Sequence, residues 1–127
     1  MAVAVHESLT EVDRVTAATL DVYARRRDLA TEMPLAELLD VPRSLGSLRA
    51  IVAKTEHTIE VVVDEGVDAA SLAAGLWALA ADGWQAVVLI ALDRIGAAHV
   101  ELRGTPCRLQ AWWIADDEVV FGGFETP

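Results

Sequence analysis

The sequence predicts one α/β (or α+β) domain: a long N-terminal helix followed by a mixed sheet with a β-α-β-α-β-β core. Three stretches carry that reading. Residues 58–64 (TIEVVVD) are rich in β-branched side chains and are bounded by Glu65-Gly66. Residues 85–92 (QAVVLIAL) form an almost unbroken apolar run, the pattern of a strand buried on both faces of a parallel sheet. Between them, residues 69–81 (AASLAAGLWALAA) carry no charge. They supply the helix that a parallel crossover requires.

In chain order, residues 8–30 read as a single helix. Ser8 with Glu11 makes a capping-box pattern. Val12, Val15, Thr19, Val22 and Leu29, with Leu20 and Tyr23 beside them, form an apolar stripe. Arg25, Arg26 and Arg27 fall in the last turns, where the helix dipole favours cations. Such a helix is roughly 33 Å long, and part of it is expected to pack on a second copy of the chain.

Residues 34–41 suggest a short helix with Pro34 in its first turn, ended by Pro42. Residues 44–48 are open between turn and helix. Residues 48–54 and 58–64 read as strands around a turn near Glu56 and His57. Asp68 caps the charge-free helix, and Asp82-Gly83 end it. Asp93 is expected to cap a further helix over 94–103, closed by Gly104. Residues 108–114 and 118–124 flank Ala115-Asp116-Asp117 as a hairpin. Right-handed crossovers make the strands at 58, 85 and 108 parallel and leave the last antiparallel, in a sheet of about four to six strands. No repeat or linker divides the chain, so 1–127 is read as one domain, with the N-terminal helix at 8–30 and the α/β core at 48–127.

Composition bounds the function. The chain has 127 residues, 54% hydrophobic and 24% charged, which suits one globular domain. Twenty acidic against ten basic side chains give a net charge of −10. That field repels phosphate, so nucleic acid is an improbable partner, and a basic protein a better one. One cysteine, Cys107, allows no internal disulfide. The first residues, MAVAVHES, lack the basic start of a secretory signal. No apolar run reaches membrane-span length. These features place the chain in the cytoplasm.

Two surfaces invite a function. The charge-free helix must be covered on more than one side, and self-association, a dimer first, would cover it. The candidate interface residues are Leu76, Trp77, Trp112, Trp113, Val22 and Leu29. Adjacent Trp112 and Trp113 on one strand must face opposite sides of the sheet. The other surface is acidic. Asp64 and Glu65 close one strand and Asp93 the next, and carboxylates at the carboxyl ends of parallel strands can hold Mg²⁺ with a phosphate substrate. Their simpler role is as turn and cap residues.

The segments VVVDEGVDAASLAAG (61–75) and LIALDRIGAAH (89–99) resemble the TOPRIM domain of primases and topoisomerases. The resemblance would make Glu65 the acid, put Asp68 near the helix start and set Asp93 at the later motif. A single aspartate stands there, where that family has an Asp-x-Asp pair. Residues 35–53 resemble a helix-turn-helix in the placing of Ala36, Val41 and Arg43-Ser44, with Arg25–Arg27 and Arg43 available to phosphates. Asp40 stands at its usual turn glycine.

His99 borders an apolar helix face as a structural histidine. His6, His57 and His99 lack metal spacing with Cys107. Arg108 beside Cys107 is expected to lower the thiol pKa.

Three functions follow from these residues. The first is a non-enzymatic, acidic binding or regulatory module that self-associates through its apolar helix and needs no cofactor. The second is a small Mg²⁺-dependent enzyme using Asp64, Glu65 and Asp93 on a phosphate-containing substrate. The third is a helix-turn-helix-like DNA-binding regulator.

Overall fold

A computed structural model describes residues 10–39, 45 and 48–127. Expectations resting on His6, Ser8, Asp40–Ser44 and residues 46–47 lie outside those residues. The described elements are helix α1 (Glu11–Arg25), strands β1 (Thr31–Pro34), β2 (Arg49–Ala53) and β3 (Thr58–Val62), helix α2 (Ala69–Ala81), strand β4 (Gln85–Ala91), helix α3 (Ile95–Glu101) and strands β5 (Arg108–Ala115) and β6 (Glu118–Glu125). Six strands form one sheet in sequence order, β1 to β6. The β3–β4 and β4–β5 pairs are parallel and the other three antiparallel. The mixed α/β fold is therefore as the sequence predicts, including the β-α-β-α-β-β order from residue 58.

The strand order advances in one direction, so two right-handed crossovers put both connecting helices on one face. Leu72, Leu76 and Leu79 of α2 share an apolar layer there with Ala98 and Leu102 at α3, against Ile59, Val61, Val88 and Leu109 of the sheet. Among the described residues, helix α1 is the helix on the other face. Its Val15 and Tyr23 pack against Ile51, Val62, Val87, Leu89 and Trp112. Each apolar layer comes from period-two alternation: in β3, Ile59 and Val61 face one way, and Thr58, Glu60 and Val62 the other.

Three local differences from the sequence reading have physical causes. First, α1 is short, not the long helix of 8–30. Thr10 and Asp13 form the capping box at its start. At its end Arg27 adopts φ +60, with Asp28 N–H donating to Tyr23 O (2.9 Å) and Arg27 N–H to Ala24 O (3.0 Å). That is a Schellman stop with arginine in the place glycine usually holds.

Second, residues 31–34 form edge strand β1. Only Leu35–Glu37 follow as a 3₁₀ turn, instead of the helix over 34–41. Proline is tolerated in an edge strand, at its end. Third, Asp93 caps nothing: it sits in the 3₁₀ turn Leu92–Arg94, and α3 begins without a side-chain cap. The hairpin turn is Asp116-Asp117, both at positive φ, the geometry of a type I′ turn.

Candidate functional site

Helix α1 crosses its face of the sheet diagonally. Near its start, the Arg14 guanidinium donates to Asp117 O (2.7 Å) and Oδ1 (3.1 Å) at the β5–β6 turn. Near its end, Tyr23 meets Glu60 on β3. Among the described residues, one 15-residue helix lies over this face of six strands, too little to roof it. The amino-terminal halves of β4 and β5 and the end of β6 stay open beside it, and a cleft of about 630 Å³ forms there. That size suits a small organic ligand, for which pockets span roughly 300–1,000 Å³.

The cleft floor carries Thr58 and Glu60 of β3, Gln85 and Val87 of β4, and Gln110 of β5, with Arg108 of β5 at its rim. Val22, Tyr23 and Arg26 of α1 make one wall, and Phe121 and Phe124 of β6 the opposite one. Trp84, Pro106 and Cys107 close the lower lip. The Gln110 amide donates to Gly122 O (2.9 Å), which ties the floor to β6 beside the irregular register between Gln110 and Trp112.

Glu60 is the charged residue of this floor that is out of solvent. It is 8% exposed, and the other polar residues buried among those described are the threonines Thr16, Thr19 and Thr105. Burial raises its carboxyl pKa above the usual glutamate range, against the opposing pull of the Tyr23 hydroxyl and the Arg26 guanidinium. Burial, with the facing carboxylate, likewise pushes the Tyr23 phenol far above its ordinary value.

Arg26 stacks on the Tyr23 ring (4.7 Å to the centroid) and reaches Asp28 (3.6 Å) and Glu56 (3.9 Å). Arg108, exposed at the far rim, lies over the Phe124 ring at 5.6 Å. The Trp84 ring tilts against His57 at 5.6 Å.

The residues singled out from sequence fall elsewhere. Asp64, Glu65 and Asp93 are all exposed, beyond the carboxyl ends of β3 and β4. Among the described residues, no three His, Cys, Asp or Glu side chains gather as a metal site. The topology explains why. A crevice at strand ends opens where connections diverge to opposite faces, and here both crossovers stay on one face.

Of the interface candidates, Leu76 (1%) and Trp112 (5%) are buried within the chain itself. Trp113 is half-buried, and Trp77, Val22 and Leu29 are exposed. The Trp112 Nε1–H is buried without a hydrogen-bond partner among the described residues. Residues 49–53 are strand β2, so the helix-turn-helix resemblance ends before its second helix.

Cys107 runs opposite to expectation: burial raises its thiol to about 11. His99 Nε2 pairs with Glu125 at 2.8 Å, on the surface.

Sequence reasoning passed over Glu60 and Tyr23. The signal was present, since Glu60 is a lone charge inside a β-branched strand. Comparison of the chain with protein-family models, with curated proteins and with solved structures finds no match.

Proposed function

We propose that this chain is a non-enzymatic binding module whose ligand site is the cleft between α1 and strands β3–β6. The observation that carries the reading is a buried carboxylate, Glu60, on the floor of an open, aromatic-rimmed cavity. A strongly desolvated ionisable group in a cleft is a costly arrangement, and such groups concentrate at functional sites. The mixed lining supports a small amphipathic molecule as ligand: apolar and aromatic surface for its body, and a few convergent polar groups for orientation. A fragment screen read by thermal shift tests the reading. Hits should be lost in Val22→Trp, which fills the cleft from a position on α1 that is 38% exposed. A screen with no hit, or hits indifferent to that substitution, removes the cleft as a binding site.

Self-association is a second reading, favoured by the outer face of α2. Trp77 is 58% exposed there, and Ala70, Ala74, Ala78 and Ala81 are exposed along the same side. A dimer through this face would cover the apolar stripe. Light scattering at about 100 μM tests it, a range suited to a weak contact. A dimer that Trp77→Glu converts to monomer supports the reading, and a monomer at that concentration ends it.

A further inference from the structure

Resting on the cleft as the binding site, we propose that its ligand is a small organic amine. Its ammonium group would sit on Glu60, and its apolar or aromatic body would lie over Val87 toward Phe121 and Phe124.

The depth of each charge in the cleft carries the argument. Glu60 is buried, while Arg26, Glu56 and Arg108 are exposed around the rim. A rim charge is screened by water and contributes little to affinity, whereas a desolvated charge decides which ligand is accepted. At the seat, therefore, the acid sets the preference.

Among the described residues, Glu60 also has unused acceptor capacity. A carboxylate accepts about four hydrogen bonds. The Tyr23 hydroxyl faces it from α1. Its cross-strand neighbours, Ile51 on β2 and Val87 on β4, have no donor in their side chains. The cation that acts on it, Arg26, is shared with Asp28, Glu56 and the face of the Tyr23 ring. An ammonium group brings three donors and the compensating charge that burial has withheld.

An anion at the same place would face Glu60 with Glu56 at the rim, inside the field of a chain with net charge −10. That field draws cations toward the cleft. Phe121, Phe124 and Tyr23 add ring faces and edges that suit the carbon body of an amine and, by cation–π attraction, its charge. Arg108 lies two strands from Glu60, roughly 10 Å across the sheet. It can meet an acidic tail of the ligand without contesting the seat.

Calorimetric titration of the full chain with 2-phenylethylamine, 3-phenylpropionate and 2-phenylethanol tests the proposal. The amine should bind about tenfold or more tighter than the other two, as one charge-assisted hydrogen bond in a buried site provides. Glu60→Gln should erase that preference.

A second measurement needs no variant. In the unmodified chain, amine affinity should fall as pH drops through the Glu60 titration, because the amine stays charged and the carboxylate does not. The charged groups facing Glu60 are Arg26 on α1 and Glu56 on the β2–β3 turn, with the Tyr23 phenol between.

Tighter binding of 3-phenylpropionate, or an amine affinity indifferent to both Glu60→Gln and pH, overturns the amine assignment. So does failure of the amine to bind while other fragments give hits sensitive to Val22→Trp, which leaves the cleft standing. If no compound at all binds, the cleft itself fails with it.

Discussion

Glu60 is out of keeping with the apolar strand that carries it. In β3, Ile59, Val61 and Val62 each contribute buried apolar surface, worth roughly 1.5–3 kcal/mol for a side chain of that size. Glu60 contributes none of this and carries a desolvation cost instead. Its carboxyl titrates higher when folded than the ordinary value of 4.5, so the folded state holds its proton to higher pH. The stabilisation from that proton is complete below the ordinary value and is lost as pH rises through the raised one. Urea unfolding across pH 4–8 should therefore show the parent losing stability relative to Glu60→Gln as pH rises. A difference between them that stays flat with pH would mean that the carboxylate is well solvated. Leu76 gives a complementary check. It is 1% exposed under α2, so Leu76→Ala should cost about 2–5 kcal/mol in denaturant unfolding of the monomer. A cost below about 1 kcal/mol would return it to the surface, where the sequence had suggested it.

At the scale of elements, the chain is legible wherever hydrophobic period and punctuation agree. β3, α2 and β4 are read within a residue or two, because β-branched residues, Asp68 and Asp82-Gly83 mark their ends. The β5–β6 hairpin is read for the same reason, from its Asp-Asp turn.

β1 is illegible, because four residues of an exposed edge strand ending in proline leave no alternation to detect. The end of α1 is illegible for a different cause. Left-handed backbone at Arg27 has no glycine to announce it, and three arginines look like an ordinary helix C-terminus. That position makes a direct prediction. Arg27→Gly should raise stability by about 1 kcal/mol, by removing the strain of an L-residue at φ +60. Thr10→Ala, at the other end, should lower it by about 1 kcal/mol through loss of the capping box. Thermal unfolding of the two variants measures both. A loss at Arg27→Gly would mean that the arginine side chain contributes more there than its backbone costs.

The described part of the molecule is asymmetric, and the asymmetry leaves the cleft open. Among the described residues, two helices pack on one face of the sheet and one on the other, because successive crossovers run the same way. The sequence supports that face assignment once the parallel order is read. It does not show which part of the α1 face is left open, since that depends on where α1 stops and on its diagonal path between Asp117 and Glu60. The cleft accordingly opens over the amino-terminal halves of β4 and β5, while Asp64, Glu65 and Asp93 lie exposed beyond the carboxyl ends of β3 and β4. No helix among the described residues is long and apolar enough to cross a membrane. The chain presents an aromatic-rimmed cleft on one face and the Trp77 stripe on the other.

The most direct measurement is a carbon-detected NMR titration of the Glu60 carboxyl, in the free chain and with 2-phenylethylamine. Glu60 should titrate above 4.5 when the cleft is empty and move back toward that value when the amine is bound. An ordinary titration in the free chain, or one that the amine leaves in place, would contradict a buried carboxylate acting as the seat of a ligand.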